Sequence, residues 1–221
     1  MIIDSQIWKY ELKKEVNDIK HFFDNTNFED EFEESEILDD DTIEEYEEVY
    51  NKAFIKLQKF SIYTSIVIRK LIEANKISFE LLGENFSIIS YEKNLNEKIT
   101  NWNSYEIKKI YYLDSPRKVN ISIKDLVDKL IHSFHFMPKY TWEKTDISLP
   151  DEDSENWLNN GFEGFYFSSD KSKNKELLFI SLEKHIAIIE KINSDCIVRQ
   201  IYEGGKIVVN SCNNLNNTSY Q

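Results

Sequence analysis

Residues 42–75 read TIEEYEEVYNKAFIKLQKFSIYTSIVIRKLIEAN, and this stretch decides the fold. Ile43, Tyr46, Tyr50, Ala53, Leu57, Phe60, Thr64, Val67 and Leu71 recur every three or four residues, which keeps them on one helical face over many turns. Thr42-Ile43-Glu44-Glu45 has the form of a capping box, and Asp39, Asp40 and Asp41 put negative charge at the positive end of the helix dipole. The spacing therefore predicts a helix from Thr42 to about Asn75. Ile55, Ile62 and Ile66 form a shorter stripe on its other side. A helix apolar on both sides is expected to be covered on both, which makes this one central.

Upstream, Trp8, Leu12, Val16, Ile19 and Phe23 predict a helix from Ser5 to Asp24, ended by Asn25-Thr26-Asn27. Downstream the period changes. Phe86–Tyr91, Ile107–Leu113, Phe165–Phe167 and Leu177–Ile180 read as strands, the last two joined by the polar turn 170–175, while Arg117 after Pro116 reads as loop surface. A third helix is predicted from Ser122, with Asp125 as its capping acid, to a point before Pro138. Leu182, Ile186, Ile189 and Ile192 give a short helix. Ile197–Tyr202 and Lys206–Asn210 flank Gly204-Gly205 as a hairpin, with Glu203 opposite Lys206 and Ile201 opposite Val208. In that register Cys212 faces Ile197, so Cys196 points to the other face and the two thiols do not bond.

The expected class is α+β, with a helical N-terminal half, one long central helix at about 42–75, and a mostly antiparallel sheet with short helices, completed by the hairpin. The organisation is an N-terminal helix (1–24), an acidic linker (25–41), a single α+β domain (42–212) and a flexible tail (213–221).

Charge is the other informative feature. The chain has 221 residues with 40 acids against 27 bases, and thirteen of those acids lie between Glu29 and Glu48 with no Lys or Arg among them. The remainder is balanced. Aromatic residues at 14% and hydrophobic residues at 41% supply a real core, and five Gly with three Pro argue against a glycine-punctuated nucleotide-binding fold. Met1-Ile2-Ile3-Asp4 leads into charge and not into a signal peptide, and no run approaches the ~20 apolar residues of a bilayer span. Two cysteines form no disulfide framework, so the expected setting is a reducing cytoplasm, and the Asn/Ile/Lys-rich composition points to a prokaryote. No Gly-rich phosphate loop, Ser elbow, Cys-x-x-Cys or His-Glu-x-x-His is present, and no cofactor is expected. A long helix beside a His-bearing one is similar to HEPN-type ribonucleases, but none of Arg69, Arg117 and Arg199 has a His at the spacing that family uses, so no family is assigned.

Three functions follow. In the first, a non-enzymatic regulatory protein meets a basic protein surface through 28–48, where Phe28 and Phe32 serve as helical anchors among Glu29, Asp30, Glu31, Glu33, Glu34 and Glu36. Tyr111-Tyr112 and Phe165-Tyr166-Phe167 could stack single-stranded bases, but the basic density flanking them is thin and the protein is acidic, so direct nucleic-acid binding is not expected. In the second, Asp125, Asp128, His132 and His135 fall on one stripe of the third helix. Carboxylates and imidazoles on adjacent turns suit a metal-dependent hydrolase or nuclease, with His132, His135 and Asp128 as ligands and Arg69 as a phosphate clamp. The third is a structural subunit, marked by an exposed apolar patch.

Overall fold

Two strands that are apolar on both faces sit at the centre of the sheet. The computed structural model describes residues 5–26, 28, 40–100, 102–144, 157–203 and 206–211. In chain order the elements are α1 (Ser5–Asn25), α2 (Asp40–Glu73), α3 (Phe79–Leu82), β1 (Asn85–Glu92), α4 (Ile107–Ile110), β2 (Arg117–Ser122) and α5 (Ile123–Ile131). They continue as β3 (Ser133–Lys144), β4 (Trp157–Ser169), β5 (Glu176–Ser181), α6 (Leu182–Ser194), β6 (Ile197–Glu203) and β7 (Lys206–Ser211). Five strands form an antiparallel sheet in the order β2-β1-β5-β4-β3.

Alternation along β4 and β5 sends Phe165, Phe167, Leu178 and Ile180 to one face and Tyr166, Leu177 and Phe179 to the other, all buried. The first face packs on Leu12, Val16 and Ile19 of α1, on Leu57, Phe60, Val67 and Leu71 of α2, and on α5 and α6. The predicted main stripe of α2 is thus buried from Tyr50 to Leu71. The second face is covered by α4 and its flanks, through Ile107, Ile110 and Tyr111. A third cluster joins Phe28, Tyr50 and Ala53, with Phe22, Phe23, Tyr140 and Phe162 packed around it.

Several expectations are corrected. The third helix ends at Ile131, and Ser133 already begins β3. Phe134, Phe136, Tyr140 and Trp142 favour a strand, and Pro138 is accommodated because β3 is the sheet's edge, where a missing N–H costs no ladder bond. Ile107–Leu113 is a single helical turn followed by the isolated bridge of Tyr111 to Lys93. Its buried pair Ile107 and Ile110 is three apart, a helical spacing that the exposed Lys108 and Lys109 separate. Arg117 opens β2 opposite Ser90 and is not in a loop. The α2 backbone turns helical at Asp40, two residues before the predicted cap.

The second α2 stripe is not covered either, since Ile55 is 48% and Ile66 44% exposed. The hairpin pairs Glu203 with Lys206 and Ile201 with Val208 as predicted, but a bulge shifts Ile197 to Ser211, and β6 and β7 form a separate two-stranded sheet. Cys212 and the tail 213–221 lie outside the described residues.

Among the described glycines, Gly164 stands closest to neighbouring backbone. A Cβ there would stand 2.7 Å from the Cα of Ser181 and closer still to the Ile180 carbonyl, both backbone atoms that cannot rotate away. Gly164→Ala is expected to cost roughly 3 kcal/mol by forcing β4 from β5, read as a lowered urea midpoint; a midpoint within error of the parent would contradict this packing.

Candidate functional site

The four residues of the predicted Asp/His stripe separate into three environments. Ser122 caps α5, its hydroxyl accepting from the Asp125 amide at 3.1 Å and donating to the Asp125 carboxylate at 2.8 Å, so Asp125 is engaged in holding the helix start. His132 occupies the C-cap of α5 and is exposed. His135 leaves the helix altogether and is buried in β3. The single stripe is therefore corrected: it required α5 to run one turn further than it does.

Arg69, Asp128 and His132 do come together. The Arg69 guanidinium lies 3.5 Å from the Asp128 carboxylate, 3.4 Å from Nε2 of His132 and 3.1 Å from Glu73. This is a half-exposed charge network tying the end of α2 to the end of α5. An arginine in hydrogen-bond reach of the imidazole lone pair competes with a metal ion for it and repels the ion electrostatically. Among the described residues no group of three His, Cys, Asp or Glu is arranged to hold a metal.

A buried polar array that the sequence reading missed surrounds His135. Its Nδ1 is 2.7 Å from the Ser168 hydroxyl and 3.4 Å from the Tyr111 hydroxyl, which itself donates to the Lys173 carbonyl at 2.7 Å. Burial, with Lys173 nearby, lowers the His135 pKa to about 4, and the Ser104 backbone offsets only part of that. Burial also raises Tyr111 to about 12, the Ser168 hydroxyl opposing it. A Ser–His pair invites a nucleophilic reading, but Ser168 is fully buried and no substrate atom could reach it. The array instead pins the α4 segment to the sheet. The one signal for it in the sequence is a histidine at an inward position of an aromatic strand.

His185 is the second buried imidazole, edge-on to Phe60 and Phe165, with neither ring nitrogen hydrogen-bonded and its pKa lowered to about 4 by burial alone. Ser61 of α2 has a buried, unpartnered hydroxyl as well.

Phe28, the first anchor predicted for a partner, is turned inward. Its ring packs on Phe23, Tyr50 and Phe162, and its carbonyl accepts from the Tyr50 hydroxyl at 3.3 Å. An aromatic preceding a highly charged run gains more from burial in its own core than from solvent exposure. Glu29, Asp30, Glu31, Phe32, Glu33, Glu34 and Glu36 lie outside the described residues. At the far end of the block, Glu48 pairs with Lys52 at 2.7 Å within α2.

The loop before α4 carries a further feature that the sequence reading passed over. Trp102 is 88% and Leu95 87% exposed, on a loop braced by Asn103, which accepts from the Thr100 amide at 2.8 Å and donates to the Lys98 carbonyl at 2.9 Å. Among the described residues no helix is long and apolar enough to cross a membrane. Comparison with protein-family models, with curated proteins and with solved structures finds no match to the chain.

The two histidines make the fold acid-sensitive. Unfolding returns each from about 4 to its ordinary 6.5, so between those values the unfolded chain binds more protons and stability falls as pH drops. His185→Leu is expected to leave stability at pH 7 unchanged or raised by about 1 kcal/mol, since it removes two orphaned polar atoms. The same change is expected to recover on the order of 2 kcal/mol near pH 4.5, measured by urea denaturation at both pH values; an unaltered pH dependence would show that His185 is not the titrating group.

Proposed function

We propose that the chain is a non-enzymatic interaction protein whose acidic block, residues 29–48, engages a basic surface on a partner. The observation that carries this reading is the closure of the block at both ends on one aromatic cluster. Phe28 precedes it, Tyr50 follows it, and the two are joined by ring packing and by a hydrogen bond. Of the thirteen acids in the sequence between Glu29 and Glu48, six, Asp40, Asp41, Glu44, Glu45, Glu47 and Glu48, fall on the backbone of α2. Charge concentrated at a fixed site steers encounter with a cationic partner far better than the same charge spread over a surface. Phe32, Ile37 and Leu38 supply apolar contacts between the acids.

The hydrolase reading loses support from the dispersal of its residues and from Arg69 standing among those that remain. The two readings respond to different variants. Binding of a Lys/Leu-rich helical peptide, followed by fluorescence anisotropy, is expected to weaken about tenfold or more as salt rises from about 50 to about 300 mM. It is expected to disappear when Glu29, Asp30, Glu31, Glu33, Glu34 and Glu36 become Ser or Asn, and to be indifferent to His132→Ala. Affinity that survives neutralisation of the block overturns the proposal.

A further inference from the structure

Among the described residues, the uncovered face of α2 is a stripe in which lysines and isoleucines are interspersed. Lys52, Ile55, Lys59, Ile62, Ile66 and Lys70 follow one another at helical spacing, with Ile55 and Ile66 exposed and Ile62 half-buried. From 51 to 72 the helix has five cations, Lys52, Lys56, Lys59, Arg69 and Lys70, and no acid. Among the described residues Lys59 has no ion pair, while Lys52 and Lys70 are held only by Glu48 and Glu73 of their own helix, at exposed sites where such pairs exchange at little cost. On the α1 side the stripe is bordered by Tyr63, which has Glu11, Glu15 and Lys14 beside it. Cations interspersed with branched aliphatics are the complement of a segment in which carboxylates are interspersed with Phe32, Ile37 and Leu38.

The same molecule cannot bring the two together along the whole stripe. Phe28 is fixed beside Tyr50, and twelve peptide links, spanning at most about 43 Å, take the chain from there to Asp40. A path from the level of Tyr50 to Ile66 and back to the start of α2 needs about 60 Å at 1.5 Å per helical residue. The far half of the stripe is therefore out of reach of the block that precedes it.

We infer that the stripe is the docking site for a second copy of this chain, whose acidic block 29–48 lies along it while its own stripe receives the block of the first. The inference rests on the proposed function and supplies the partner: the basic surface belongs to the chain itself. α2 is acidic from Asp40 to Glu48 and basic from 51 to 72, so two such helices side by side and antiparallel set each acidic end on a basic one. The exchange is reciprocal, which closes the assembly as a two-fold dimer and not as an open filament.

Sedimentation velocity with charge reversal tests this. The parent chain is expected to dimerise at about 100 µM or below. Lys52→Glu with Lys59→Glu and Lys70→Glu is expected to weaken the dimer tenfold or more, and Glu31→Lys with Glu33→Lys and Glu34→Lys to do the same. Mixing the two variants in equal amounts restores complementarity at both contacts and is expected to return the dimer, which misfolded variants could not do. A parent that stays monomeric, a dimer indifferent to both reversals, a mixture that stays monomeric, or a dimer abolished by Trp102→Ala and not by the reversals overturns the inference. A chain that binds the basic peptide yet never dimerises refutes self-docking and leaves the block's affinity for foreign cations standing; one that does neither refutes both.

Discussion

Everything in this fold answers to the double-sided burial of β4 and β5. Strands that carry phenylalanine and leucine on both faces have no face to give to water, so the chain must supply two layers. Helices α1, α2, α5 and α6, with Leu81 of α3, form one layer, and the short α4 with its flanking loop forms the other. The polar groups caught between the layers are then obliged to find partners in place. Nδ1 of His135 does so through Ser168 and Tyr111 while its Nε2 stays without a partner, and His185 meets only aromatic edges at both nitrogens.

Much of this is legible in the residues because long-period signals survive tertiary packing. The main stripe of α2, the helices α1 and α6, the strands β1, β4 and β5 and the hairpin register through Ile201 and Val208 all follow from spacing alone. The failures cluster where a segment carries two compatible periods. Ile107 and Ile110 fit a strand by composition and a helical turn by interval, and burial beneath α4 selects the turn. The stretch from His132 to Trp142 reads as a helix up to its proline only if proline marks a helix end; an edge strand accommodates it equally well.

The candidate site was less legible for the same reason. A polar stripe is a property of a continuous helix, so a break at Ile131 sends His135 inward and leaves His132 at a cap. Phe28 was visible as an apolar residue beside the acids, but its direction depended on Phe162 and Tyr50, which are distant in sequence. The exposed isoleucines of α2 were visible too, and the expectation that both sides of the helix are covered hid their position at the surface.

The two outermost strands limit how this protein can be recognised. One rim presents β3, interrupted at Pro138, and the other presents β2, which begins with the cations Arg117 and Lys118. A strand added at the β3 rim would meet a missing amide at Pro138, and one added at the β2 rim would lie against two cationic side chains. A proline at one rim and paired cations at the other make edge-to-edge extension of this five-stranded sheet costly.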